Sequence, residues 1–307
     1  MTQSSNKDKA SELSTKGYSS RQIAKLLGVC KSTINNWLKK QTLTKDGPKI
    51  LFIDFETAAS EVLTFGRRKV NISRQHVIKE GGWILCGSYS WADDSKIGHI
   101  YLGKDDVLVA NDSGLVLGFY DLLEQADAIV AHNGKGYDHP VLQARALAHG
   151  FGALPKVKVI DTYLLAKKHL RLPSYSLDYI AAYFGLGEKI DTGGIDLWKR
   201  VQSGDTEAMK EMVRYCDHDV RLLKIVYKKL RALGADGSGF KAGLYYQDGE
   251  AHCPTCGSIH VKETGRKVTT AMSVFSEYDC GDCGSRFRDR KNLVSKEVRN
   301  TILVHTS

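Results

Sequence analysis

The chain has 307 residues, 42% hydrophobic side chains and a formal net charge of +9 at neutral pH, enough length for one core-bearing domain and one or two small modules. A pI near 9.0 suits a polyanionic partner and says nothing about fold. No apolar run spans a bilayer and no signal-type segment is present, which excludes an integral membrane protein and leads us to expect a soluble, cytoplasmic one.

The basicity is local. Residues 1–48 hold nine Lys/Arg against three Asp/Glu, so a dedicated nucleic-acid module is expected at that end. After a polar start that reads as frayed, three short helices are predicted over residues 10–16, 20–27 and 31–40. Gly17 ends the first, Ser19 or Ser20 caps the second, and a Gly28-Val29-Cys30 turn leads into the third. Ile23, Leu26, Leu27, Val29, Ile34, Trp37 and Leu38 would form its core. The string SRQIAKLLGVCKSTINNW over residues 20–37 resembles the helix-turn-helix of resolvases and transposon-encoded proteins. That resemblance places Lys31, Ser32, Thr33, Asn35 and Asn36 toward a DNA major groove; a protein-docking module with a solvated basic face is the alternative. Residues 41–48 read as a linker, giving a first module over 1–45.

Residues 49–236 read as one α/β domain. In the apolar run over 49–57, strand alternation puts Asp54 and Glu56 on one face and Ile53 and Phe55 on the other. Two carboxylates so close on a buried strand repel each other unless they share a proton or bind cations. A basic irregular stretch, residues 67–79, could track a phosphate backbone or be a solvated loop. A hairpin is predicted from strands 83–91 and 97–102, then helix 114–125, strand 128–132, helix 138–149 and strand 157–160. Antiparallel strands followed by alternating helices and strands imply a mixed sheet with flanking helices. Asp138 opens a helix after a glycine-punctuated loop, so an N-cap role competes with a functional one. Asp161 reads as a cap or, at most, a supporting residue. On the helix predicted over 211–233, Asp219 falls inside the apolar stripe of Met212, Tyr215, Leu222, Leu223, Val226 and Leu230, one turn after Tyr215. A buried charge needs a partner, so Asp219 is the functional candidate. Asp217 shares a face with Arg221, Lys224 and Lys228 and is expected at the surface.

Asp54-x-Glu56, Asn133-x4-Asp138 and Tyr215-x3-Asp219, in this order, resemble the three exonuclease motifs of the DEDD superfamily in its tyrosine-bearing subclass. The string IDTGG at 190–194, Leu197-Trp198 and the cysteine-rich tail look like exonucleases carried by bacteriophages. The resemblance implies a ribonuclease-H-like α/β fold and 3′-to-5′ exonuclease activity, with two Mg²⁺ or Mn²⁺ held by Asp54, Glu56, Asp138 and Asp219. It also implies that Tyr215 orients the attacking water. Two-metal cleavage of a phosphodiester, with ions about 3.5–4 Å apart, suits hard oxygen ligands of this type. Tyr215, with an ordinary pKa of about 10, suits hydrogen bonding better than proton abstraction. Asn133 and His132 could hold the terminal nucleotide, or Asn133 could structure its loop.

The tail places Cys253 and Cys256, then Cys280 and Cys283, as two C-x2-C pairs separated by 23 residues. Four thiolates at such spacing, each pair followed by glycine, signal a zinc ribbon over 248–292 with one structural Zn²⁺. Cys30, Cys86 and Cys216 read as ordinary thiols. Arg286 and Arg288 lie on a basic strand that could grip nucleic acid or merely keep the ribbon soluble. The favoured function is thus exonucleolytic cleavage of DNA, probed against a non-catalytic DNA-binding regulator, a transposase-type strand-transfer enzyme and an exoribonuclease.

Overall fold

A computed structural model of the chain describes residues 3–39, 47–66, 70–188, 190, 193–234 and 237–303. The basic run at 67–69 and residues 191–192 of the IDTGG string lie outside the described residues, as do the side chains of Ser32 and Asn36. Two compact units form: Lys49–Tyr227, and Met1–Pro48 with Lys228–Ser307.

In the second of these, α1 (Gln3–Thr15), α2 (Ser20–Leu27) and α3 (Lys31–Lys39) surround a small core of Ala10, Ile23, Ala24 and Ile34. The helix begins at Gln3, before the frayed start expected from the sequence. Ser19 is the cap of α2, in a reciprocal capping box with Gln22, and Gly28 ends that helix in the left-handed region. Leu26, expected in the core, is exposed, because Ile23 and Leu27 one turn apart already define the buried face of α2.

The α/β unit is built on a five-stranded sheet. Its strands are β1 (Ile50–Thr57), which carries the paired acids, β4 (Ile84–Trp91), β5 (Gly98–Tyr101), β6 (Ala128–Ala131) and β7 (Lys158–Asp161), in the order β5-β4-β1-β6-β7. The ribbon β2 (Glu61–Val62) and β3 (Val77–Lys79) is a separate two-stranded sheet between β1 and β4. β1, β4 and β5 run antiparallel, whereas β6 and β7 are parallel to β1. Helices follow in turn: α4 (Lys104–Leu108), α5 (Ser113–Gln125), α6 (Asp138–Ala148), α7 (Thr162–His169), α8 (Leu177–Tyr183), α9 (Ile195–Gln202) and the long α10 (Thr206–Leu230). Alternation along β1 divides the layers. Ile53 and Phe55 are buried on one face, where Phe55 meets Phe119 of α5 edge-on at 4.6 Å between ring centroids. Phe52 and Asp54 face the opposite way, Phe52 against Tyr227 at 5.5 Å and Asp54 against Cys216, both on α10. The mixed sheet with flanking helices expected from the sequence is therefore present.

The remaining described elements are β8 (Val261–Thr270), β9 (Ser273–Cys280), β10 (Arg286–Arg288) and the short helix α11 (Lys296–Asn300). The three strands form an antiparallel sheet in the order β10-β9-β8. Among the described residues, no helix is long and apolar enough to cross a membrane.

Candidate active site and metal centres

Asp54 and Glu56 project from one face of β1, and Asp219 is buried on α10. One carboxylate oxygen from each lies within 4.8 Å of the others. These residues come together because β1 lies in the middle of the sheet and α10 crosses the face that even-numbered residues of β1 present. The register sets Asp54 opposite Ser88 and Glu56 opposite Cys86 on β4.

Asp138 opens α6 and is buried. It is outside the 4.8 Å cluster, yet its carboxylate accepts the N–H of Phe55, the residue between the two β1 acids. Burial pushes Asp138 up to about 7, against the lowering effect of hydrogen bonds from its own amide and from Phe55, and the charge of Asp161 adds to the rise. Asp54 is raised well above the ordinary carboxylate range, first by burial and then by Glu56, Asp138 and Asp219. All three neighbouring carboxylates push in the same direction, so a divalent cation with hard oxygen preference would relieve the repulsion. The donor set fits Mg²⁺ or Mn²⁺.

The surrounding residues fix these acids. The Cys216 thiol donates to the Asp54 carbonyl oxygen at 3.4 Å and to its Oδ2 at 3.5 Å. Burial raises the Cys216 thiol well above its ordinary value, and Cys86 adds to the effect, so it stays protonated as a donor at neutral pH. Trp198 of α9 donates its indole N–H to the Thr57 carbonyl at 3.0 Å and meets the Tyr215 ring edge-on at 6.5 Å. The hydroxyls of Thr57 and Tyr137 are 2.5 Å apart. Asp161 is fully buried and accepts the backbone N–H groups of Asn133, Lys135 and Leu164. It thereby holds the loop before Asp138 and caps α7 together.

Three sequence expectations need correction. Asp217 is not a surface residue: its side chain is 13% exposed, accepts the Ser88 hydroxyl at 2.7 Å and lies 3.3 Å from His99 Nδ1. Nor is Lys224 solvated, since its ammonium donates to Ser90, Trp91 and Asp94 around the β4–β5 turn. The antiparallel edge of the sheet reaches under this side of α10, so a polar face meets polar strand residues and not water. His132 has both ring nitrogens engaged, with Thr162 and with the Tyr175 carbonyl at 2.8 Å each, which commits it to joining β6 to the loop before α8. Asn133 sits at a φ of 64°, a conformation that asparagine tolerates better than most side chains.

Cys216 reads as an ordinary thiol in the sequence, and Trp198 enters there only through the family resemblance, yet both hold the site. The available signal for Cys216 was position: it follows Tyr215 and precedes Asp219 by three, on the inward side of the helix. Nothing local in the sequence marks Trp198 as a partner of Thr57, because that contact joins elements 141 residues apart.

The second centre is formed by Cys253, Cys256, Cys280 and Cys283, whose sulfurs all lie within 4.8 Å of one another. Cys253 and Cys283 are 3.7 Å apart, as are Cys256 and Cys280. A tetrahedron with Zn–S bonds of about 2.3 Å has edges of roughly 3.8 Å, so the thiols are spaced for zinc. Gly257 and Gly284 adopt φ of 79° and 72° and donate N–H groups to the carbonyls of Cys253 and Cys280. These left-handed turns bring both sulfurs of each pair to the same side. Ser285 is fully buried beside the cluster, with its hydroxyl 3.4 Å from the Cys283 sulfur.

Of the remaining candidates, Lys31, Thr33 and Asn35 are partly exposed on α3. Arg286 is exposed on β10, and the Arg288 guanidinium lies 3.8 Å from the Phe275 ring centroid.

Residues 79–231 match a family model, RNase_H_2, described as the RNase_H superfamily. The match starts after β1, so Asp54 and Glu56 precede it. Among solved structures, the family B DNA polymerase from the hyperthermophilic archaeon Pyrobaculum calidifontis is similar, with 16% sequence identity and a TM-score of 0.44 over 74% of this chain. The chain spans about a third of that polymerase, 32% of its length. No curated protein matches the sequence. The α/β unit is a ribonuclease-H-like domain.

Proposed function

We propose that this ribonuclease-H-like domain is a metal-dependent 3′-to-5′ exonuclease that hydrolyses phosphodiester bonds of DNA from single-stranded ends. The observation that carries this reading is the convergence of Asp54, Glu56 and Asp219, with Asp138 tied to the same strand through the Phe55 amide. Asp54, Glu56 and Asp219 would hold one divalent ion, and Asp54 with Asp138 a second. Bound there, the ions supply Lewis acidity at the scissile phosphate. The chain's own residues do the positioning: Cys216 steadies Asp54, Trp198 braces Tyr215, and the Tyr215 hydroxyl orients the attacking water. Asn133 lies on the loop that leads into Asp138.

The Cys253, Cys256, Cys280 and Cys283 centre is structural in this proposal, since four protein ligands leave no open position. Lys31, Ser32, Thr33, Asn35 and Asn36 of α3, together with Arg286 and Arg288, are proposed to contact nucleic acid outside the cleavage centre.

Digestion of end-labelled single- and double-stranded DNA and RNA with Mg²⁺, scored for the end that is lost, tests the proposal. Mononucleotides released from DNA 3′ ends by the intact protein, but not by Asp54→Ala, are the expected result. Binding without degradation would favour a regulator, and preferential loss of RNA an exoribonuclease. Tyr215→Phe is expected to lower kcat by about 10²-fold, the scale of a misplaced reactant, with metal affinity preserved. An unchanged kcat would remove Tyr215 from the mechanism.

A further inference from the structure

Helices α7 and α8, which follow β7, carry a group of aromatic side chains. On α8, Ser176 is the cap and accepts the Tyr179 N–H at 3.3 Å, and Leu177, Ile180 and Ala181 take the buried face. Tyr179 and Tyr183, one turn apart, are left on the outer side, where their rings stack at 6.2 Å with 25° between the planes. Tyr183 is 60% exposed, so much of this stack is open to solvent. The turn that leads into α8 is fastened. Its Tyr175 hydroxyl donates to the Leu170 carbonyl at 3.0 Å and accepts the Leu172 N–H at 3.3 Å, while the Tyr175 carbonyl accepts from His132. His132 begins the loop that ends at Asp138, so the open stack has a fixed place relative to the segment that delivers the buried acid.

The charge beside the rings indicates what they carry. Over residues 132–137 and 162–188, Lys135, Lys167, Lys168 and Arg171 are exposed and outnumber the exposed acids, Asp178 and Glu188. The Lys167 ammonium lies 5.5 Å from the centroid of the Tyr163 ring, which in turn meets Tyr175 edge-on at 6.1 Å, so cation and aromatic faces are interleaved. An acidic peptide answers the charge but not the flat faces. Single-stranded nucleic acid answers both, with bases that stack and phosphates that need cations. We infer that the α7–α8 surface is a single-strand platform, on which a base stacks against Tyr183 while the neighbouring phosphates pass Lys167 and Arg171. Its service to the acid cluster rests on the proposed exonuclease function; the binding surface does not.

The test uses the full chain, with Asp54→Asn to block cleavage. A single-stranded oligonucleotide carrying 5-iododeoxyuridine at successive positions is irradiated on the protein and the adducts are mapped; an adduct on Tyr179 or Tyr183 is expected. Anisotropy of a fluorescent oligonucleotide is then compared for Asp54→Asn alone and combined with Tyr183→Ala, Tyr183→Phe or Arg171→Gln. Tyr183→Ala should weaken binding by about tenfold, the scale of one lost stacking contact, whereas Tyr183→Phe keeps the ring and should bind as the parent does. On an abasic strand of equal length Tyr183→Ala should change nothing, because the phosphates remain and no base can stack. Arg171→Gln should reduce the slope of log affinity against log salt by about 0.7, the share of one phosphate contact on a single strand. No adduct between Tyr163 and Phe184 would overturn the platform, as would equal affinity of Tyr183→Ala and parent, or an equal loss on the abasic strand. With Asp54 restored, Tyr183→Ala should lower kcat/KM on a long strand by about tenfold; an unchanged value would overturn the platform's service to the acid cluster. If the parent protein degrades no strand, the exonuclease proposal fails while adducts and anisotropy still decide the platform.

Discussion

The two clusters suited to metal ions are built in opposite ways. The acids come from β1 and α10, far apart in sequence, and rest on a deep core that includes Ile53, Phe55, Phe119, Ile129 and Met212. The cysteines come from two neighbouring turns and are themselves the core: Cys253, Cys280 and Cys283 are its buried residues, with Cys256, Val261 and Phe287 packed on them. In the α/β unit the fold forces like charges together. In the C-terminal sheet four thiols stand where an apolar core would be. This difference predicts opposite responses to removing metal or ligand side chains.

The largest effect is expected at the cysteines. Apparent zinc binding energies of about 10–16 kcal/mol exceed anything so small a core supplies. Chelation, or Cys280→Ser, should therefore abolish hydrogen-exchange protection in β8, β9 and β10 while leaving β1, β4 and β6 protected. Persistent protection of β9 in excess chelator would show that the sheet stands without metal.

The acids should respond in the reverse sense. A raised folded-state pKa means that ionisation is harder in the native protein than in the unfolded chain, so the associated stability is present below the unfolded value near 3.8 and is lost as pH rises through the folded one. For Asp138 that window runs from about 4 to about 7. In metal-free buffer, Asp54→Asn should raise the melting temperature, most at pH 8 and progressively less toward pH 4, where the parent Asp54 and Asp138 are protonated. A lower melting temperature at pH 8 would mean that protein groups already compensate the charge.

Much of this contrast was legible in the sequence. The alternation of Asp54 and Glu56 against Ile53 and Phe55 dictated their shared face, and the cysteine spacing announced a four-sulfur centre. The placement of Asp219 on the inner stripe of α10 followed from helical periodicity. The mistakes share a cause. Asp217 and Lys224 belong to a face whose surroundings are set by β4 and β5, more than a hundred residues earlier, and no helical period carries that information. Buried polar contacts between distant elements are chosen by the tertiary fold.

Another buried acid, Asp112, sharpens the comparison because it is compensated. Asp112 is held by two bonds from Arg145, at 2.7 and 2.8 Å, by His149 at 2.5 Å and by the Ile84 N–H at 2.8 Å. Burial alone would raise its pKa, but bonds from Arg145, Ile84 and His149 outweigh it and hold the carboxyl below its ordinary value. The sign is opposite to that of Asp54: this stability is present above the unfolded value near 3.8 and is lost as pH falls through the folded one. Removing one partner of a buried ion pair costs about 3–5 kcal/mol. Asp112→Ala should thus lower stability at pH 7 in urea titration and flatten the acid limb, whereas Asp54→Asn flattens the alkaline limb. Identical pH profiles for the two variants would erase the distinction between compensated and uncompensated burial.

The smallest effect tests whether the acid cluster is held by its fold alone or also by contacts at its edge. Trp198→Phe keeps the ring that meets Tyr215 but removes the N–H that Thr57 accepts. A typical hydrogen bond contributes about 1 kcal/mol, so the change in stability should be near that figure. The effect on rate separates two possibilities, because Thr57 directly follows Glu56. If the indole bond holds the end of β1 in register with α10, kcat should fall severalfold at unchanged KM, with half-saturation by Mg²⁺ shifted upward as Glu56 loosens. If it serves stability only, the melting temperature drops and both kinetic constants stay with the parent, which would leave the deep core as sufficient support for the acids.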